Sequence, residues 1–398
     1  MEFELGFELE YEIRQGVKLK KIFGSKKLLV GLIVLAVIAI GLGVYQAIPK
    51  HNVFVKGPSM HYSRVGHTAT LLQDGRVLIV GGVTVNNNPA YCDYAEIYNP
   101  KINKFELAGK LNTTREAHTA TLLNDGNVFI TGGQIGLGMN YLNYTEEYYY
   151  KTNEIKLLDN MLYKRTNHTA TLLNDGNVLI TGGETLIKNK SDPYSNSFPT
   201  KIAEIYDTKI NNFKLIKKMN RARTGHTATL LNNGVVLIIG GDKEGTAEIY
   251  NPQTQNFQLI GKLNSPRYGH SAYLLKNGKV VIIGGNKENT VEIFNSEINK
   301  FELAGRLIEP KRSGFATVLL NDDSILIIGG TKPLSWGYVD LNSSEIYKPS
   351  VQKSYKGPNM RVARSNSTAT GLLDGNVLVC GGTDVYFRHK NSCEVYKK

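Results

Sequence analysis

Seven glycine pairs divide most of this chain into units of about fifty residues, and that period leaves few folds open. The pairs begin at Gly81, Gly132, Gly182, Gly240, Gly284, Gly329 and Gly381, at intervals of 51, 50, 58, 44, 45 and 52 residues. An apolar run precedes each pair, such as Val77 to Val80 or Val178 to Thr181. Ahead of that run stands a turn signal: Asp74-Gly75, Asp125-Gly126, Asp175-Gly176, Asn233-Gly234, Asn277-Gly278 or Asp374-Gly375, with Asp323-Ser324 as the one departure. Asp-Gly or Asn-Gly between two short β-rich runs predicts a hairpin closed by a type I′ turn, with positive φ at both central residues. The strand ahead of the turn reads His67 to Leu72 and recurs from His118, His168 and His226, with looser copies from His270, Phe315 and Ser367.

After each glycine pair a variable loop leads to a third strand marked by Glu96, Glu146, Glu204, Glu248, Glu292, Glu345 or Glu394. An aromatic residue follows two positions later: Tyr98, Tyr148, Tyr206, Tyr250, Phe294, Tyr347 or Tyr396. Seven residues further comes a fourth strand with Phe105, Ile155, Phe213, Phe257 or Phe301. Four antiparallel strands repeated seven times predict an all-β, seven-bladed propeller over residues 52–398, because one blade alone buries too little apolar surface. The last repeat reaches Lys398 without a fourth strand. Phe54 stands thirteen residues before His67, as Phe105 does before His118, so residues 52–56 are expected to pair with the last blade and close the ring.

These motifs resemble the kelch family, and more closely the kelch-type propeller of bacterial galactose-oxidase-like proteins. The resemblance covers residues 52–398. The family usually carries Trp at the second aromatic position, where this chain has Phe or Ile, and Ser354 in one repeat. A WD-repeat reading fails, since the chain holds one tryptophan, Trp336, outside any such signature.

Upstream of the repeats, residues 28–48 are free of charge and proline, long enough at about 1.5 Å per residue to cross a hydrocarbon core of about 30 Å. They are read as a transmembrane helix; a cleaved signal peptide is the rival reading, with a normally shorter apolar stretch. Arg14, Lys18, Lys20, Lys21, Lys26 and Lys27 precede the segment, and Lys50 follows it. That bias predicts a cytoplasmic tail over residues 1–27, a short linker over 49–51, and a single-pass protein with its propeller extracytoplasmic, on the outer or periplasmic side of a bacterial inner membrane. The tail alternates apolar and acidic residues from Glu2 to Ile13, as a solvated segment or as a strand for a partner's sheet edge.

The net charge of +12 raises the question of nucleic acid. Six of the 47 bases and five of the 35 acids lie in the first 27 residues, leaving 41 and 30 spread evenly over turns such as Lys101 to Lys104. No basic-aromatic block appears, so no nucleic-acid partner is expected. Three cysteines, without a CxxC or Cys/His cluster, argue against a disulfide scaffold and a structural zinc site.

An arginine precedes every first strand: Arg64, Arg115, Arg165, Arg223, Arg267, Arg312 and Arg364. Seven arginines matched by seven glutamates point to structural Arg–Glu pairs rather than a cationic ring for an anionic ligand. The recurring histidines are read as structural too, since metal ligands converge and these are dispersed. The resemblance to galactose oxidase implies a test for copper held by Tyr and His. No Tyr-His dipeptide occurs, and His61, His389, Cys92 and Tyr386 are the loose candidates. No Gly-x-Ser-x-Gly, His-Glu-x-x-His or P-loop is present. No cofactor, metal or catalytic residue is assigned.

Loop lengths carry the functional expectation. Loops after the glycine pairs are five residues long in blades four and five and ten to nineteen elsewhere. The long ones should form a horseshoe wall carrying Tyr91, Tyr94, Tyr141, Tyr144, Tyr194, Phe198, Trp336, Tyr338, Tyr386 and Phe387. Aromatic residues rimmed by polar ones suggest a protein or glycan ligand, and hence a binding or scaffolding module. The alternative is an extracytoplasmic carbohydrate-active enzyme of galactose-oxidase-like or sialic-acid-related type at the same face.

Overall fold

The computed structural model describes residues 52–84, 92–136, 140–187, 196–335 and 337–398. The tail 1–27, the apolar segment 28–48 and the linker 49–51 lie outside the described residues, as do Tyr91, Tyr194 and Trp336. Among the described residues no helix is long and apolar enough to cross a membrane.

Seven four-stranded antiparallel sheets form the blades. In blade one the strands run, from the axis outward, Thr68–Leu71, Val77–Val80, Tyr94–Asn99 and Lys104–Lys110. The innermost strands of successive blades pack beside one another and stay half-buried, lining the axis. Each second strand is buried at all four positions, Val77–Val80 and Val236–Ile239 among them. Continuous apolar runs are what a strand covered on both faces requires, because its blade is stacked between two others.

The sheet of blade seven combines both ends of the described chain. Its strands are Thr368–Gly371, Val377–Cys380, Ser392–Lys397 and, outermost, Val53–Ser59. Phe54 lies opposite Tyr396, as Phe105 lies opposite Tyr98 in blade one. Even the preceding turn is copied. The Tyr396 hydroxyl donates to Asn52 at 2.7 Å, as Tyr98 does to Asn103 at 3.0 Å, and both asparagines have positive φ, 57° and 52°.

Two sequence expectations are corrected. The hairpin turns are not type I′: Gly75 has φ 87°, whereas Asp74 is absent from the positive-φ residues. Instead the Gly75 amide donates to the Leu72 carbonyl at 3.0 Å, and Asp74 accepts from the Arg76 amide two residues on at 3.0 Å. The aspartate is there as a side-chain acceptor, an Asx turn, and glycine alone supplies the left-handed residue. In blade six the turn is displaced by one residue from the sequence reading. Asp322 takes the acceptor role and Asp323, at φ 62°, the glycine's place.

The other correction concerns cysteine. Cys380 and Cys393 are disulfide-bonded, while Cys92 is free and buried. The two half-cystines are direct cross-strand partners on the second and third strands of blade seven, with Cα atoms 4.3 Å apart. An odd total misled the sequence argument, since it excludes complete pairing and not a single bridge.

Candidate functional site

The residue before each histidine position turns the chain onto the axis, and all seven adopt positive φ: Gly66, Ala117, Asn167, Gly225, Gly269, Gly314 and Asn366, between 50° and 71°. Four of the seven are glycines, Gly66, Gly225, Gly269 and Gly314, which take this conformation without a Cβ penalty. Their backbones link blade to blade around the channel mouth. The amides of Asn167, Gly225 and Gly269 donate in turn to the carbonyls of Ala117, Asn167 and Gly225, at 3.2, 3.3 and 2.8 Å. Asn366 donates to Gly314 at 2.7 Å. Between Gly66 and Ala117, between Gly269 and Gly314, and between Asn366 and Gly66, no such bond is formed among the described residues.

The histidines reinforce the same joints. Nε2 of His118 meets the Thr68 hydroxyl at 3.1 Å, His168 meets Thr119 at 3.1 Å, and His270 meets Thr227 at 2.9 Å, each on the preceding blade. His67 closes the circle on Thr368 of blade seven at 2.9 Å. Burial pushes His67 and His270 down to about 3, with Arg64 and Arg267 respectively as the next cause, and holds His118, His168 and His226 well below the usual range. They are neutral spacers. Blades six and seven replace them with Phe315 and Ser367.

A cavity of about 540 Å³ opens across two of these interruptions, those on either side of the Gly314–Asn366 bond. Tyr268, Asn286 and Lys287 of blade five, Ser313 and Phe315 of blade six, and Asn366 and Ser367 of blade seven are on its walls. On the blade-five side the rim is low, with a short loop. Blade six instead carries the hairpin Thr331–Leu334 and Gly337–Asp340 between its second and third strands. Blades two and three carry further two-stranded extensions, Gln134–Ile135 with Asn140–Tyr141 and Glu184–Ile187 with Asn196–Pro199. In blades two, three and six the described flanks of the long loops pair as antiparallel strands, which their sequences, lacking regular alternation, did not signal.

The described aromatic residues among those expected to form the binding wall are not brought into one site. Tyr338, Tyr386 and Phe387 are 61%, 75% and 76% exposed on the adjacent loops of blades six and seven. Those two loops are tied by the Val385 amide donating to Asp340 at 2.5 Å, and Arg388 covers one face of Tyr386. Tyr144 and Phe198 are exposed on blades two and three. Tyr94 is half-buried and stacked on Tyr62, its ring beneath Lys110. Tyr141 is buried, and its hydroxyl lies 2.7 Å from the Ser197 hydroxyl and 3.1 Å from the Glu184 carboxylate. It braces two hairpins and offers no surface. Leu334, 37% exposed, and Tyr268, 45% exposed, were missed by the sequence reading.

The seven arginines lie away from solvent, each paired within its own blade. Arg64 meets Glu96 at 2.7 Å, Arg115 meets Glu146 at 2.5 Å, Arg223 meets Glu248 at 2.7 Å and Arg267 meets Glu292 at 2.8 Å. Arg165 pairs with Glu204, and Arg312 with Glu345 and Arg364 with Glu394 are longer, at 3.3 Å. Every arginine also donates to the carbonyl of its blade's first glycine, as Arg223 does to Gly240 at 2.6 Å. That geometry explains the motif: an arginine, a glycine pair and a glutamate lock the two ends of three strands together.

The copper candidates are spread over separate partners. His61 bonds Glu96 at 2.9 Å, the His389 ring contacts the Val83 carbonyl at 2.9 Å, and the Cys92 thiol donates to the Tyr94 carbonyl at 3.4 Å. Among the described residues no group of three His, Cys, Asp or Glu side chains is arranged to hold a metal ion. This donor set does not fit a copper centre.

Comparison with known proteins places the repeats. No curated protein matches the chain. A solved structure of a fungal alcohol oxidase of the AA5 family, in complex with copper, superposes with a TM-score of 0.68 at 16% identity, over 87% of this chain and 76% of that one. At that identity the likeness is one of fold. Residues 66–285 match the model of the KLHDC2/KLHL20/DRC7 Kelch-repeats domain. With more than half its length so matched, and seven blades built on the Arg–Gly-Gly–Glu lock, the chain belongs to the kelch-repeat family.

Proposed function

We propose that this chain is a membrane-anchored, extracytoplasmic propeller that binds a partner protein on its long-loop face. The observation that carries the binding reading is the group of exposed apolar side chains on two tied loops, Leu334, Tyr338, Tyr386 and Phe387. Water-exposed aromatic side chains grouped on neighbouring loops are what a protein contact covers, aromatic residues supplying large area at low entropic cost. Polar groups around the cluster, Arg388, Lys390 and Asp384 among them, would form its rim.

Anchoring rests on the uncharged segment 28–48 and on the cationic residues before it. The disulfide between Cys380 and Cys393 supports an oxidising compartment for the propeller, since such bonds are rare where thiols are kept reduced. Two independent features thus point to the same side of the membrane.

A glycan is the second reading, favoured by the amide and hydroxyl groups of Asn286, Ser313, Asn366 and Ser367 beside Tyr268 in the channel-mouth cavity. A combined peptide and glycan array probed with the full chain separates the two. Peptide binding abolished by Tyr386→Ser with Phe387→Ser supports the protein reading. Glycan binding that survives those changes and is lost in Asn286→Ala overturns it in favour of the second.

A further inference from the structure

Opposite the cavity, the propeller presents the turns between first and second strands near the axis and between third and fourth strands at the rim. The described chain also begins there: Asn52 precedes Val53, which pairs with Lys397 at the far end of the third strand. The rim turns have an unexplained composition. Ile102, Ile210, Ile298 and Val351 stand at the tips, one residue before the left-handed Asn103, Asn211, Asn299 and Gln352, and are 52%, 68%, 52% and 58% exposed. The turn geometry does not require an aliphatic side chain there, for blades two and four place Thr152 and Thr254 at the same position.

Around Asn52 these tips meet other exposed groups. Blade one, whose outer strand packs beside Val53–Ser59, offers Ile102 between Lys101 and Lys104. Blade six offers Val351 between Lys348 and Lys353, whose ammonium groups flank the Tyr355 ring at 5.4 and 5.8 Å. Blade seven adds Lys397 and Leu373, which is 69% exposed and leans over Gly75 of blade one. Two nearby acids carry a counterion, Asp74 on Arg76 at 2.7 Å and Asp322 on Lys398 at 3.1 Å, while Asp374 accepts from the Asn376 amide at 3.0 Å.

We propose that this sector, with Ile102, Val351 and Leu373 as its apolar tips and the surrounding lysines as its charge, docks on an anionic lipid surface. The inference rests on the anchoring reading above. Only Pro49, Lys50 and His51 separate the uncharged segment from Asn52, and three residues reach about 10 Å at most. A bilayer holding residues 28–48 is therefore the surface nearest to Asn52. Small apolar side chains set among lysines match the acyl boundary and phosphate headgroups of that surface.

The test uses the full chain in proteoliposomes, with Cys92→Ser as background and the disulfide intact. Ile102→Cys, Val351→Cys and Leu373→Cys are labelled singly with an environment-sensitive fluorophore; Thr254→Cys, a rim turn of blade four, and Tyr386→Cys, on the other face, are controls. In phosphatidylcholine–phosphatidylglycerol vesicles a nitroxide fixed to the lipid should quench the three tip labels about twofold more than the controls, and the excess should shrink in phosphatidylcholine alone. Equal quenching in a chain that resists alkaline carbonate extraction overturns the docking surface while leaving the anchor standing. A chain released by carbonate overturns the anchor, and the docking surface with it.

Discussion

The ring of Phe54, in the first described strand, packs against that of Tyr396, in the last, with centroids 5.4 Å apart. The pair reproduces in blade seven the contact of Phe105 with Tyr98 in blade one, at 5.3 Å, so the closing strand repeats the packing of an ordinary fourth strand. Phe54 is 4% exposed among Val318, Leu320, Met360 and Tyr396. Phe54→Ala should cost about 3–5 kcal/mol of stability, the range for a buried phenylalanine. Chemical denaturation of the chain in detergent checks this; a loss below about 1 kcal/mol would mean that the closing strand contributes little.

Arg223 is buried on Glu248, Gly240 and Thr246. Removing one partner leaves a charge without its counterion, so Arg223→Ala should destabilise by about 3–5 kcal/mol. Replacing both, Arg223→Met with Glu248→Leu, should recover part of that loss. A double variant no better than the single one would show that the arginine's bonds to the backbone outweigh its ion pair.

Acid should unfold the propeller through its histidines. Their folded pKa values are depressed, to about 3 for His67 and His270, so the native state does not take up the protons that the unfolded chain binds below about 6.5. Stability is therefore unaffected by these groups above that pH and falls as the pH drops from about 6.5 toward 3, by about 1.4 kcal/mol per pH unit for each histidine. Blade six has phenylalanine at the equivalent position, and His270→Phe should flatten the acid limb by about one proton. Melting curves between neutral and acid pH read the slope; an unchanged slope would assign the protons elsewhere.

The disulfide staples the third strand of blade seven, which carries the closing strand on its other edge. Reduction, or Cys380→Ser with Cys393→Ser, should lower stability by about 2–4 kcal/mol. Alkylation mass spectrometry before and after reduction checks the bond itself, and should find Cys92 as the only thiol in the folded, unreduced chain once denatured.

Periodicity made the fold legible because each blade repeats the same solution to the same burial problem. Arg64 and Glu96 are 32 residues apart, yet their sevenfold recurrence was enough to pair them. Single events left no such signal. The bridge between Cys380 and Cys393 occurs once, and cross-strand register, not spacing, decides it. The functional face was the least legible. Tyr141 and Tyr386 both sit in long loops, but one is buried by its neighbours' hairpins and the other stands in solvent, and loop composition does not distinguish them. The cavity arises from absences in the repeat, His giving way to Phe315 and Ser367, whose consequence only the packed ring reveals.

Placing a photoreactive phenylalanine analogue at Tyr386 in the full chain, expressed in its native membrane, tests the binding face most directly. Irradiation should yield a discrete protein adduct that disappears with Tyr338→Ser and Phe387→Ser, while the same analogue at Leu303, an exposed outer-strand position, yields none. No adduct at Tyr386, or the same adducts from Tyr386 and Leu303, would contradict a binding site on blades six and seven.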